Sequence, residues 1–170
     1  AVAHAPQVVD IWEGLKDYFV SQGLNLDFVL FSNYDAQTDA LLKGFIDIAW
    51  NTPLAFVKAD LKVGGKARLL AMRDVDIDYK SKFVSSKGKF KPLEELKGKT
   101  IAFGSKDSAQ AALMPEYYLA LAGLRADKDY KALRFNSDVG KQGDTGTSEL
   151  EVLDALKTGR ADAGAFGMYP

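Results

Sequence analysis

Short apolar runs alternate with amphipathic segments from the first residues onward, and most of the amphipathic segments end on glycine. This is the pattern of βαβ units, in which helices cover a largely parallel sheet, so the sequence predicts an α/β fold. Val8, Ile11, Trp12, Leu15 and Phe19 recur at helical spacing and predict a helix over 6–22, stopped by Gly23. A strand is expected over 26–31, then a helix capped by Ser32 or Asn33 and closed by Gly44, then a strand over 45–49. Thr52 and Pro53 form a cap followed by proline at the first helical position; that helix should run through Leu61 and stop near Gly64 and Gly65, before a strand over 67–72.

Residues 73–79, Arg-Asp-Val-Asp-Ile-Asp-Tyr, alternate polar and apolar side chains and read as an extended crossing segment, a candidate hinge. Past it come a strand near 81–85, a turn at 86–88, a short helix from Pro92 and a strand over 100–103. A long helix after Gly104 contains Pro115, which removes one backbone bond and crowds the carbonyl of Ala111, so a kink is expected before Gly123 ends it. A strand at 133–135, a polar loop at 136–146, a helix at 148–158 and a strand at 161–166 complete the reading. The segment from Asp39 to Ala49 is echoed by that from Asp154 to Gly164: each ends a helix, turns on glycine and places aspartate three residues later. Two copies point to a pair of similar α/β lobes, over residues 1–76 and 77–170.

Several function classes are excluded or disfavoured. With 22 basic and 23 acidic side chains the formal charge is -1, and no cluster of Lys and Arg offers a phosphate-backbone footprint, so nucleic acid is not an expected partner. The absence of cysteine removes disulfides, thiolate zinc sites and cysteine nucleophiles. No stretch reaches the roughly 20 apolar residues of a membrane span. Neither phosphate-cradling glycine motif is present, and no cluster has metal-ligand spacing, so no cofactor or metal is expected.

Polar residues gather where strands hand over to helices. Ligands of open α/β sheets sit at these carboxyl ends, where helix N-termini present free N–H groups. Ser105, Lys106, Asp107 and Ser108 form one such junction; capping and ligand binding are both open to them. Others occur at 32–35, at Asn51 and Thr52, and at 143–149 with Thr145, Thr147 and Ser148. Tyr34 and Tyr79 suit the wall of a small-molecule site, though each tyrosine alone is more often a partly buried packing residue. His4, the only histidine, lies at the end of the first apparent strand; Asp74 and Asp76 would share one face of an extended segment, as a solvated hinge or an acid pair. No nucleophile motif accompanies them, so no catalytic residue is assigned and binding is favoured over turnover.

The run from Gly104-Ser105-Lys106-Asp107-Ser108 to Pro115, with Gly159-Arg160-Ala161-Asp162-Ala163-Gly164, Tyr34, Asp47-Ile48-Ala49-Trp50 and Asp78-Tyr79, resembles the phosphate, phosphite and phosphonate type of ABC-transporter substrate-binding protein. The resemblance implies the type II periplasmic binding fold, two lobes closing on a small polar solute, with Tyr34, Tyr79, Ser105–Ser108 and residues 145–148 facing it, and His4 and Asn51 as further candidates. It also implies an ABC permease as partner, a monomer, and an extracytoplasmic or periplasmic location, free or lipid-anchored. Where such proteins carry a hydroxyl run this chain inserts Asp107, and where they often place histidine it has Glu149, which would repel a dianion unless a ligand amine or Lys106 compensates. The family's chain normally returns to its first lobe after the second, so terminal segments beyond those present, or a shortened first lobe, are expected. A ligand-sensing receptor domain and a cofactor-biosynthesis enzyme are the alternatives on the same fold.

Overall fold

The computed structural model describes residues 1–86 and 90–167. The chain divides into two compact units, 1–69 and 70–170.

Unit 1 holds three helices: α1 (Val8–Ser21), α2 (Tyr34–Leu42) and α3 (Pro53–Lys62). Their ends follow the sequence. The side chain of Asn33 accepts from the Ala36 N–H at 2.8 Å, and that of Thr52 accepts from Ala55 N–H at 3.1 Å. The strands expected at 26–31, 45–49 and 67–72 are not formed. Residue 31 makes one parallel bridge with Val2, through Ala3 N–H to Phe31 O and Phe31 N–H to Ala1 O, each 2.9 Å. The other two segments have no ladder partner among the described residues. A strand is defined by its neighbour, and β-prone residues do not supply one. Val2, Tyr34 and Ala55 make a small core, while Phe45, Ile48 and Leu61 stay exposed.

Unit 2 begins differently from the expected extended crossing. Residues 74–76 form a 3-10 turn. The turn brings Arg73 onto Asp76 in a two-pronged ion pair, each N–O distance 2.7 Å, so Asp74 and Asp76 do not form an acid pair. Beyond it the strands are β1 (Lys82–Ser85), β2 (Thr100–Phe103), β3 (Lys131–Arg134) and β4 (Ala163–Phe166). Their order is β1-β4-β2-β3, with β2 parallel to both β3 and β4 and β1 antiparallel at one edge. Part of the turn expected at 86–88 lies outside the described residues.

Alternation along β2 builds two core layers. Ile101 and Phe103 face Leu119, Leu124 and Tyr130, whereas Ala102 faces Val152 and Ala155 of the last helix, which spans Thr147–Lys157. Gly164 lets that helix approach β4: a Cβ there would stand 2.6 Å from a Val152 methyl.

The helix carrying Pro115 is interrupted as expected, and the form of the interruption is a π-helical turn, Ala109–Leu113, followed by α4 (Met114–Leu121). Leu113 N–H bonds Ser108 O, five residues back, at 3.0 Å. Pro115 has no N–H to offer the carbonyl of Ala111, and Gly104 N–H takes that acceptor at 3.0 Å. The proline thus ties the helix start to the end of β2. The last helix, Thr147–Lys157, is α5.

The echoed segments share one terminus. Gly44 and Gly159, both at φ 72°, follow α2 and α5 with the same crossed bonds: Phe45 N–H to Ala40 O with Gly44 N–H to Leu41 O, and Arg160 N–H to Ala155 O with Gly159 N–H to Leu156 O. They diverge afterwards. Asp162 exchanges bonds with Thr100, N–H to O at 2.8 Å and N–H to Oδ2 at 2.9 Å, which leads β4 onto β2; the segment after Gly44 has no such strand to join among the described residues.

Candidate functional site at the carboxyl edge of the sheet

The parallel strands β2, β3 and β4 all deliver their carboxyl ends to one edge of unit 2. There Gly104–Ser108, residues 135–146, the start of α5 and Gly167 meet. Ser105, fully buried, donates its hydroxyl to Asp138 Oδ1 and accepts the Asp138 N–H at 3.2 Å. Thr145 donates to Asp138 Oδ2 at 2.9 Å, and its oxygen lies 3.0 Å from that of Thr147. Asp138 is 3% exposed, so two hydroxyls stand in for water around its carboxylate. Sequence reasoning missed it, placing it in a polar loop with no mark of burial.

Ser108 caps the π turn, its oxygen accepting from Ala111 N–H at 3.1 Å. The loop closes over it at Gly143 (φ 83°), where a Cβ would stand 2.8 Å from the Ser108 Cβ and closer still to its oxygen. Asp107 accepts from Gly140 N–H at 2.7 Å through Oδ2, and its buried Oδ1 has no partner. Lys106 is exposed; its backbone N–H bonds Asn136 Oδ1 at 3.1 Å. Ser148 is fully buried with no partner for its hydroxyl, which faces Gly104, 2.9 Å from where a Cβ would lie. Beside it Glu149, 2% exposed, accepts from Gly167 N–H at 3.2 Å and from the Gln110 side chain. Burial pushes its carboxyl above the ordinary range, and the charge of Asp138 adds to the rise. Tyr79 closes this corner: its hydroxyl would lie 2.5 Å from a Cβ on Gly167. A surface depression of about 320 Å³ lies elsewhere on unit 2, by Gly98 and residues 127–131 at the amino ends of β2 and β3.

The expected residues therefore fall into two groups. Ser105, Lys106, Asp107, Ser108, Thr145, Thr147, Ser148 and Tyr79 lie at this edge of unit 2, where several hydroxyls are engaged in capping and in holding Asp138. In unit 1, His4 stacks obliquely on the buried Tyr34, ring centroids 6.2 Å apart. Asn51 sits between Trp50, whose carbonyl accepts from Gln37 at 3.0 Å, and the cap Thr52. No cluster fit to hold a metal occurs among the described residues.

Residues 2–169 match the family model for the ABC transporter, phosphonate, periplasmic substrate-binding protein. The chain belongs to that family. It is 30% identical over 150 residues to the probable ABC transporter phosphite binding protein PhnD1 of Prochlorococcus marinus (strain MIT 9301), covering 84% of this chain and 47% of that protein. The solved structure of PhnD1 with methylphosphonate superposes with a TM-score of 0.63 at 26% identity, over 95% of this chain and 59% of that one. XAC2383 from Xanthomonas citri, solved with ATP, gives a TM-score of 0.64 at 19% identity over 97% and 61%, which shows a shared fold. The fold is that of the type II periplasmic binding proteins, and the chain spans about half the length of its curated relative.

Proposed function

We propose that this protein is a solute-binding component of an ABC importer, a binder rather than an enzyme, that captures a small polar solute, a phosphonate- or phosphate-like oxyanion or a related organic solute. The reading is carried by the match of residues 2–169 to a family of periplasmic substrate-binding proteins. The polar cluster at the carboxyl edge of unit 2 supports it, because that edge is where helix starts offer hydrogen-bonding groups to ligands in such sheets. Tyr79, Asp107, Thr147 and Ser148 are its candidate contacts; Ser105, Ser108 and Thr145 hold them in place. Tyr34 is the candidate contact of unit 1, with His4 beside it. The partner to which the solute is handed is an ABC permease, and the location is extracytoplasmic.

A thermal-shift screen of phosphate, phosphite, methylphosphonate and small zwitterions tests this. A ligand at about 100 times its dissociation constant adds about 2.7 kcal/mol to stability, enough for a clear rise in Tm. Capture by this chain is refuted if none of these solutes raises it.

A further inference from the structure

Glu149 is 2% exposed, and no Lys or Arg, Lys82 and Lys106 of the flanking segments included, pairs with it among the described residues. A carboxyl group out of water is held by whatever donors reach it. Two do so here: Gly167 N–H at 3.2 Å and the side-chain amide of Gln110. Gln110 is the second residue of the π turn Ala109–Leu113, and its side chain meets other segments as well. A Cβ on Gly143 would stand 3.1 Å from its Nε2, so the loop of residues 138–146 packs on the amide. A Cβ on Gly167 would stand 2.9 Å from its Cγ and 2.5 Å from the Tyr79 hydroxyl, so Gln110 and Tyr79 together flank the end of β4. β1 and β4 are antiparallel neighbours with Lys82 opposite Phe166, which sets the segment carrying Tyr79 beside the point where the chain leaves the sheet. The Glu149 carboxyl, drawn into this corner, does not reach the neighbouring Ser148 hydroxyl, which is buried without a partner.

We infer that Gln110 is a positioning residue of the candidate site: acting through Glu149, its amide holds that carboxyl against the end of β4 and leaves the Ser148 hydroxyl and the N–H groups at the start of α5 open to the solute. The mention of a solute rests on the solute-binding reading above; the tie between Gln110 and Glu149 needs none. Packing against Gly143 and Gly167 is served by any side chain of this length, whereas holding a carboxylate takes a donor. Burial pushes the Glu149 carboxyl up, the Gly167 N–H and the Gln110 amide pull it back, and the charge of Asp138 adds to the rise. Removing the amide therefore moves the titration of Glu149 to higher pH.

A pH titration of the 170-residue chain by NMR, with isotope labelling and no solute added, decides it. In the wild type the Gln110 Nε2 protons should shift with the same midpoint as the Glu149 carboxyl carbon. Gln110→Met keeps the length of the side chain and its contact with Gly167 but has no N–H to donate. It should raise that midpoint and lower the protection of the Gly167 amide from hydrogen exchange about 2- to 12-fold, the range of one hydrogen bond. The wild-type measurement decides by itself should the variant fail to fold. Gln110 protons that stay silent across the Glu149 titration, or a midpoint unmoved in the folded variant, overturn the inference, and a role in packing alone gives that result. Because no solute is present, this failure and a failure of solute capture are read apart.

Discussion

Gly143 is where the loop of residues 138–146 presses on the start of the helical segment, and its replacement measures how firmly the site is clamped. At φ 83° an alanine adopts a left-handed backbone at a cost of roughly 1–2 kcal/mol. Its methyl would also stand 2.8 Å from the Ser108 Cβ and 3.1 Å from Gln110 Nε2. The Ser108 side chain is fully buried and holds the cap on Ala111 N–H, so the clash cannot be relieved by swinging a free side chain aside. Overpacking of this kind costs about 1–3 kcal/mol, which with the backbone strain gives about 2–5 kcal/mol. Gly123 is the matched control: it has φ 79° and no atom within 4 Å of the position a methyl would take, so Gly123→Ala should show the backbone cost alone, about 1–2 kcal/mol. Both tryptophans, Trp12 and Trp50, are in unit 1, so urea unfolding should be followed by far-ultraviolet circular dichroism, which also reports unit 2. Equal losses in the two variants would refute the clamp.

Ser105→Ala removes the hydroxyl that donates to Asp138 and accepts its N–H, leaving a buried carboxylate that still accepts from Thr145; stability at pH 7 should fall by about 1–3 kcal/mol in the same urea assay, and Thr145→Val should be less than additive with it. Glu149 has a folded-state pKa raised above its ordinary 4.5, so the folded state holds its proton more tightly than the unfolded chain does. Its contribution is therefore fully present below pH 4.5 and is lost as pH rises through the folded value. Wild-type stability should decline over that window relative to Glu149→Gln; parallel pH profiles would contradict this assignment.

Much of the local structure was legible in the chain because its causes are local. Asn33, Thr52 and Ser108 cap the segments they precede, Gly44 and Gly159 close helices with identical bonds, and Pro115 breaks the ladder it was expected to break. Each effect needs only a side chain and a backbone within a few residues. The type of fold was legible too, from the alternation and from the run around Ser105 to Pro115. What the chain alone left open depends on distant partners. The apolar residues at 45–49 and at 163–166 carry similar strand signals, yet only the second pair with other strands, because β1 and β2 stand on either side. Whether a hydroxyl meets a solute or a carboxylate was equally beyond local reading. Asp138 is 33 residues from Ser105, and the parallel crossover through α4 and β3 is what brings its charge into a dry place. The order of residues determines which groups are available; desolvation, which belongs to the folded arrangement, decides whether such a group is solvated surface or a buried acceptor.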